Sequence, residues 1–106
     1  PQDIALIDAR KGLNMFKRVE VPVLGIIENM SYFLCPHCGE RSDIFSHGGA
    51  KQEAEKLEVP FLGEIPLDIA VRETSDAGEP ITYTQPDTAI AKAYRAIAEK
   101  IWKDLV

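Results

Sequence analysis

The sequence predicts an α/β fold in which a parallel sheet is flanked by helices. Three observations carry that prediction. Val21-Pro22-Val23-Leu24-Gly25-Ile26-Ile27 is a continuous apolar, β-rich run, the pattern of a strand buried on both faces. Phe61-Leu62-Gly63-Glu64-Ile65 is a second such run, and a helical segment lies between the two, as in a right-handed βαβ unit. The segments at either end of the chain repeat their apolar residues at helical spacing. With 106 residues, the chain is read as one unit, 1–106.

The elements follow in order. Residues 3–18 form a helix, because Leu6, Ala9, Leu13 and Phe16 fall on one face. Asp3 suits its positive start, and Lys17 and Arg18 its negative end. The strand over 21–27 comes next. Residues 28–47 show no period and read as a loop. A helix runs from Gly49 to Leu57, with Ala50, Ala54 and Leu57 on one side. The second strand covers 61–65, and a short helix covers 69–77 and stops at Gly78. Residues 79–86 are punctuated by proline and read as extended. Residues 87–105 form the clearest helix, with Ile90, Ala93, Tyr94, Ile97, Ala98, Ile101, Trp102 and Leu105 along one stripe.

Glu20-Val-Pro-Val-Leu-Gly-Ile-Ile and Glu58-Val-Pro-Phe-Leu-Gly-Glu-Ile agree at six of eight positions. This reads as two neighbouring parallel strands meeting the same requirements rather than as an internal duplication. Two strands are few for a sheet, and the helices flank them as if the sheet continued. The sequence also opens on Pro1 rather than Met. Both features lead us to expect the C-terminal part of a larger α/β domain.

Composition narrows the function. Twelve Lys and Arg against seventeen Asp and Glu give a formal charge of −5. An acidic balance argues against binding nucleic acid or an anionic membrane, which needs a basic face. No apolar run approaches the ~20 residues of a membrane span, and no secretory signal pattern is visible. The two cysteines, Cys35 and Cys38, are too few and too close for a secreted disulfide scaffold. They suit a metal half-site or a dithiol in the cytoplasm.

Cys35-Pro36-His37-Cys38-Gly39 is the sharpest local feature. Thiolates at i and i+3 can converge on one metal across a turn. Pro36 presets that turn, and Gly39 permits a positive φ after it. This is the shape of half a Cys₄ site. Three completions compete. Two copies of the chain can each donate two cysteines to a [4Fe–4S] cluster or a zinc ion on a two-fold axis. His47 and one further ligand can complete zinc within one chain, giving a zinc-stabilised interaction module. The pair can also act as a redox dithiol, although Gly39-Glu40-Arg41-Ser42-Asp43 has no helical face to lower a thiol pKa. Tyr32, Phe33, Leu34, Ile44 and Phe45 surround the pair, either as an apolar surface covered by a second subunit or as plugs onto the sheet.

Asn29 stands at the C-terminal end of the first strand, where parallel sheets bind ligands. Its amide can both donate and accept, which suits a purine edge, although Asn there also forms turns. Pro66-Leu67-Asp68 occupies the equivalent end of the second strand and could line the same crevice. Gly48-Gly49-Ala50-Lys51 fails the G-x-x-x-x-G-K-[ST] pattern, which occurs nowhere in the sequence. No catalytic triad or paired-carboxylate hydrolase pattern stands out, so no catalytic residue is assigned.

Taken together, Pro1 to Gly12, Val21 to Phe33, Cys35 to Gly39, Ile44-Phe45 with Gly48 to Ala50, Pro60 to Asp68 and Arg72 to Gly78 closely resemble the Mrp (ApbC-type) proteins. The match runs over nearly the whole chain and is most specific from Glu28 to Cys38. The resemblance implies a P-loop NTPase fold and a dimeric ATPase that carries iron–sulfur clusters to apoproteins. It implies that Cys35 and Cys38 bridge a [4Fe–4S] cluster with their copies in a homodimer. It further implies that Asn29 recognises adenine, that Pro66, Leu67 and Asp68 line the base pocket, and that Gln2 and Asp3 face the nucleotide across the dimer. The family's phosphate-binding loop, its lysines and its Mg²⁺-binding carboxylate have no counterpart in this sequence. ATP and Mg²⁺ are therefore expected in the full-length parent, and the 106 residues alone are expected not to hydrolyse ATP.

Overall fold

Helix stops organise this chain as much as its strands do. The computed structural model describes residues 1–105, in the order α1 (Asp3–Arg18), β1 (Ile26–Glu28), β2 (Phe33–Leu34), β3 (Arg41–Ser42), α2 (Gly49–Lys56), β4 (Phe61–Glu64), α3 (Ile69–Asp76), α4 (Ile81–Thr84) and α5 (Ala89–Leu105). β1 and β4 pair in parallel with α2 as the crossover, and β2 and β3 form a separate antiparallel hairpin.

The repeated octapeptide has a local cause. After α1, the Val21 amide donates to the Phe16 carbonyl and the Glu20 amide to Lys17. After α2, Val59 donates to Ala54 and Glu58 to Glu55. Each set is a Schellman closure. Glu20 and Glu58 take its left-handed position, at φ 59° and 56°. Both copies thus end a helix, turn at a Glu and enter a strand through Val-Pro. The third closure, after α3, uses Gly78 at φ 72°.

β1 is shorter than the predicted 21–27. Pro22 has no amide to donate, and the register with β4 slips between Ile26 and Ile27. Nor is the run buried on both faces, since Leu24 is 39% and Ile27 40% exposed. Among the described residues β4 is the only strand beside β1, so half of this run meets solvent. Gly25 is required by close approach: a Cβ there would lie 2.6 Å from Leu62 Cγ and 2.7 Å from the Pro60 carbonyl oxygen.

An apolar core joins the β4 region to α4 and α5. Leu62 and Ile65 pack with Ile81, Ile90 and Ile97, with Val71, Tyr94 and Ile101 at the margin. Lys100 clamps α5 to the strand by donating to the Leu62 carbonyl at 3.0 Å. α5 starts at Ala89, two residues later than expected, because the Thr88 hydroxyl accepts from the Ala91 amide and caps it. Its predicted stripe is buried only in part: Ala98, Trp102 and Leu105 are exposed. On α1, Leu13 is buried and Leu6 half-buried, whereas Ala9 and Phe16 face solvent.

Two segments differ from expectation in type. The 28–47 loop contains the β2–β3 hairpin, too short to show a period. The extended 79–86 segment contains α4, which follows Pro80 and gives Ile81 to the core.

Candidate cluster-binding hairpin and nucleotide cavity

The hairpin presents the cysteines. Phe33 pairs with Ser42 and Leu34 with Arg41, so both strands end at the Cys35–Glu40 turn. The Cys35 amide donates to the Glu40 carbonyl at 2.9 Å, and the Gly39 amide to the Cys35 carbonyl at 2.8 Å. Gly39 sits at φ 73°, the left-handed conformation that closes this turn. Arg41 lies over the Tyr32 ring, 4.2 Å from its centroid, which braces the base of the hairpin.

Both thiols are free; Cys35 is half-buried and Cys38 exposed. The turn folds its backbone amides around the first sulfur. Hydrogen bonds from the Cys38 and His37 amides, then from the Cys38 side chain, lower the Cys35 pKa; burial opposes them, and the Gly39 amide adds a smaller lowering. Such donors favour the thiolate, the form that binds metal. No helix begins at the turn, so backbone amides take the part that a helix dipole plays in helical C-x-x-C motifs. The signal for this was the Pro-x-Cys-Gly spacing itself.

His47 does not join the cysteines. Its ring meets Arg41 Nη2 at 3.1 Å and Glu64 Oε1 at 3.4 Å. Among the described residues, the one group of three potential ligands is Glu28, His47 and Glu64, without either cysteine. The apolar neighbours divide. Tyr32, Phe33 and Phe45 are half-buried, whereas Leu34 and Ile44 are 43% and 55% exposed.

Asn29, Pro66, Leu67 and Asp68 line one cavity of about 200 Å³, closed by Val71, Arg72, Ser75 and Tyr94. Asn29 Oδ1 accepts from the Met30 amide at 2.9 Å, which shapes the turn and leaves the amide nitrogen for a ligand acceptor. Asp68 also caps α3, since its Oδ1 accepts from the Ala70 amide at 2.8 Å. Gln2 and Asp3 lie apart, lining another cavity with Ile44 and Phe45. A cavity of about 210 Å³ places Phe33, Leu34 and Cys35 against Leu67, Asp68 and Ile69. The 66–68 segment thus touches both the Asn29 cavity and the cysteine hairpin. Sequence spacing gave no sign of this, because Phe33 and Leu67 meet across a long stretch of intervening chain.

Comparison with known proteins agrees with this architecture. The family model described as "ParA: NUBPL iron-transfer P-loop NTPase" matches residues 1–102. The "Iron-sulfur cluster transfer protein NUBPL" of Dictyostelium discoideum is 56% identical over 105 residues, 99% of this chain and 32% of that protein. The chain thus spans about a third of the length of the curated relatives it matches. Among solved structures, the cell division ATPase MinD of Pyrococcus furiosus is similar with TM-score 0.70 and 31% identity, over 92% of this chain and 37% of that one. A nucleotide-binding protein from Archaeoglobus fulgidus, in complex with ADP and with Co, is similar with TM-score 0.60 and 41% identity, over 71% of this chain and 31% of that one. With a parallel α/β sheet, a C-x-x-C hairpin and a family match over almost all its residues, the chain belongs to the ParA-type NUBPL/Mrp family of iron-transfer P-loop NTPases.

Proposed function

We propose that this chain is the cysteine-bearing part of an iron–sulfur cluster carrier. Cys35 and Cys38 hold one half of a [4Fe–4S] cluster, and the same pair in a second copy holds the other half, for delivery to apoproteins. The observation that carries this reading is the hairpin turn. It offers two free thiols, one of them favoured as thiolate, and the one other group of potential ligands among the described residues excludes both. The sequence contains no third cysteine. Two thiolates where a cluster takes four make a half-site, and a two-fold axis doubles it. Exposed Leu34 and Ile44 supply apolar surface next to the turn for such an interface to cover. Relatives are named as cluster transfer and carrier proteins, which supports the same cargo.

Asn29 and the Pro66–Asp68 segment form the base side of a nucleotide site in the full-length protein, where ATP and Mg²⁺ bias a dimer between cluster-holding and cluster-releasing states. Such control requires the nucleotide to bind the two states unequally. The phosphate-binding pattern is missing from this sequence, so the chain by itself does not hydrolyse ATP; robust Mg²⁺-dependent hydrolysis by it would refute this. The compartment we propose is the cytoplasm, where free thiols stay reduced.

Replacing Cys35 or Cys38 by Ala tests the assignment. Each variant should keep the far-UV circular dichroism of the parent and lose the visible absorption of a reconstituted cluster. Undiminished cluster binding by either variant overturns it.

A further inference from the structure

Glu28 closes β1 and Glu64 closes β4, and the parallel register sets them opposite one another. Their side chains therefore leave the sheet on the same face. His47, from the segment ahead of α2, completes a group in which one ligand atom from each residue lies within 4.8 Å of the others. Glu28 is 1% exposed. Its carboxylate accepts from the Ser31 hydroxyl at 2.9 Å and, at 3.4 Å, from the Ala50 amide in the first turn of α2. Both donors are neutral. Among the described residues no Lys or Arg pairs with Glu28 or Glu64; Arg41 turns instead to the His47 ring and Asp43. Two adjacent carboxylates, one of them out of water, are costly without a cation between them.

We propose that Glu28, His47 and Glu64 form a divalent-cation site separate from the cysteines. Two carboxylates and an imidazole suit a borderline first-row ion such as Mn²⁺, Fe²⁺ or Zn²⁺. Three protein ligands leave the remaining positions to water. The ion ties the ends of both parallel strands to the start of α2. Arg41 Nη2 lies 3.1 Å from His47 Nδ1 and 3.3 Å from Nε2, so a guanidinium rests against the ring edge that faces Glu64. An ion bound at a ring nitrogen brings a second positive charge to that edge, and Arg41 gives way. Asp43 Oδ1, 3.2 Å from Arg41 Nε, is placed to keep it. Cation binding and the Arg41–His47 contact therefore compete.

Mn²⁺ is the probe, because it favours oxygen and nitrogen over thiolate and so leaves Cys35 and Cys38 aside. An electron paramagnetic resonance titration of the metal-free chain should show a single saturable Mn²⁺ site. His47→Ala and Glu64→Gln should each weaken it about 10-fold or more, and Arg41→Gln should strengthen it. His47 is part-exposed, so its variant keeps the fold, which circular dichroism checks. Absence of a saturable site, or a site that His47→Ala leaves unchanged, overturns the proposal. Cys35→Ala should leave the titration unaltered, so this site and the cluster reading fail independently.

Discussion

Phe33 pairs with Leu67 in a parallel bridge, and the Leu67 amide donates to the Tyr32 carbonyl at 2.7 Å. This contact fastens the cysteine hairpin to the segment that also walls the Asn29 cavity. A two-stranded hairpin is marginal on its own in water, so its order depends on that tether. Leu67→Pro removes the donor, at a cost of about 1 kcal/mol. Amide exchange at Cys35 should then accelerate roughly five-fold, with exchange in α5 unchanged. Equal protection in both proteins would show that the hairpin stands by itself.

Asp68 serves two structures at once, the cavity wall and the cap of α3. Asp68→Ala should lower stability by about 1 kcal/mol. Asp68→Asn keeps an acceptor oxygen and should recover most of that loss. Urea denaturation of the three proteins separates the capping role from any effect on nucleotide binding.

Glu20 and Glu58 occupy left-handed positions that glycine takes at lower cost. Both are exposed, so their side chains contribute little packing. Glu20→Gly and Glu58→Gly should each stabilise the fold by roughly 0.5–1 kcal/mol, less than the full relief because glycine also loosens the unfolded chain. The two sites are independent helix stops, so the double variant should show the sum. Loss of stability in either variant would mean that the Glu side chain matters to the turn.

Arg10 and Glu53 join α1 to α2, with Arg10 Nε 3.1 Å from Glu53 Oε2. Hydrogen bonding to Arg10 holds the Glu53 carboxyl below its usual range, against some desolvation. A depressed pKa means that the pair's contribution is complete above the unfolded value of about 4.3 and is lost as pH falls through the lower folded value. Glu53→Gln should therefore flatten the stability profile below about pH 4.3. An unchanged acid limb would place acid sensitivity elsewhere.

The amides around the Cys35 sulfur make a chemical prediction. In the Cys38→Ala chain, the Cys38 amide, the leading donor, remains. Iodoacetamide should alkylate Cys35 with a midpoint below the ordinary thiol value of about 8.5. Replacing Gly39 by Val opposes the positive φ that shapes the turn and should move the midpoint back up. A midpoint at or above the ordinary value would remove the case for a preformed thiolate.

Much of this molecule was legible in its residues. The helices at 3–18 and 49–57 and the parallel pairing of the two Val-Pro runs follow from periodicity and from short, continuous apolar stretches. The C-x-x-C turn was legible because proline and glycine fix its backbone locally. The hairpin beside it was not, since two-residue strands are too short to alternate visibly. α4 was hidden because four residues cannot show a helical period, and Pro80 reads equally as extended chain. The exposure of Leu24, Ile27 and Trp102 was also beyond reach. Apolar pattern reports what a residue prefers, whereas burial depends on which neighbours are present. Glu28 gave no sign of its burial, because the hydroxyl of Ser31 and the amide of Ala50 meet it only in the folded chain.

Iron and sulfide content per chain after anaerobic reconstitution, measured on a fraction of defined mass, decides whether two copies share one cluster. One [4Fe–4S] cluster on four thiolates requires about two iron and two sulfide per chain in a dimer, and that is the predicted result. Zinc retained without sulfide, or a complete cluster in a monomer, would contradict it.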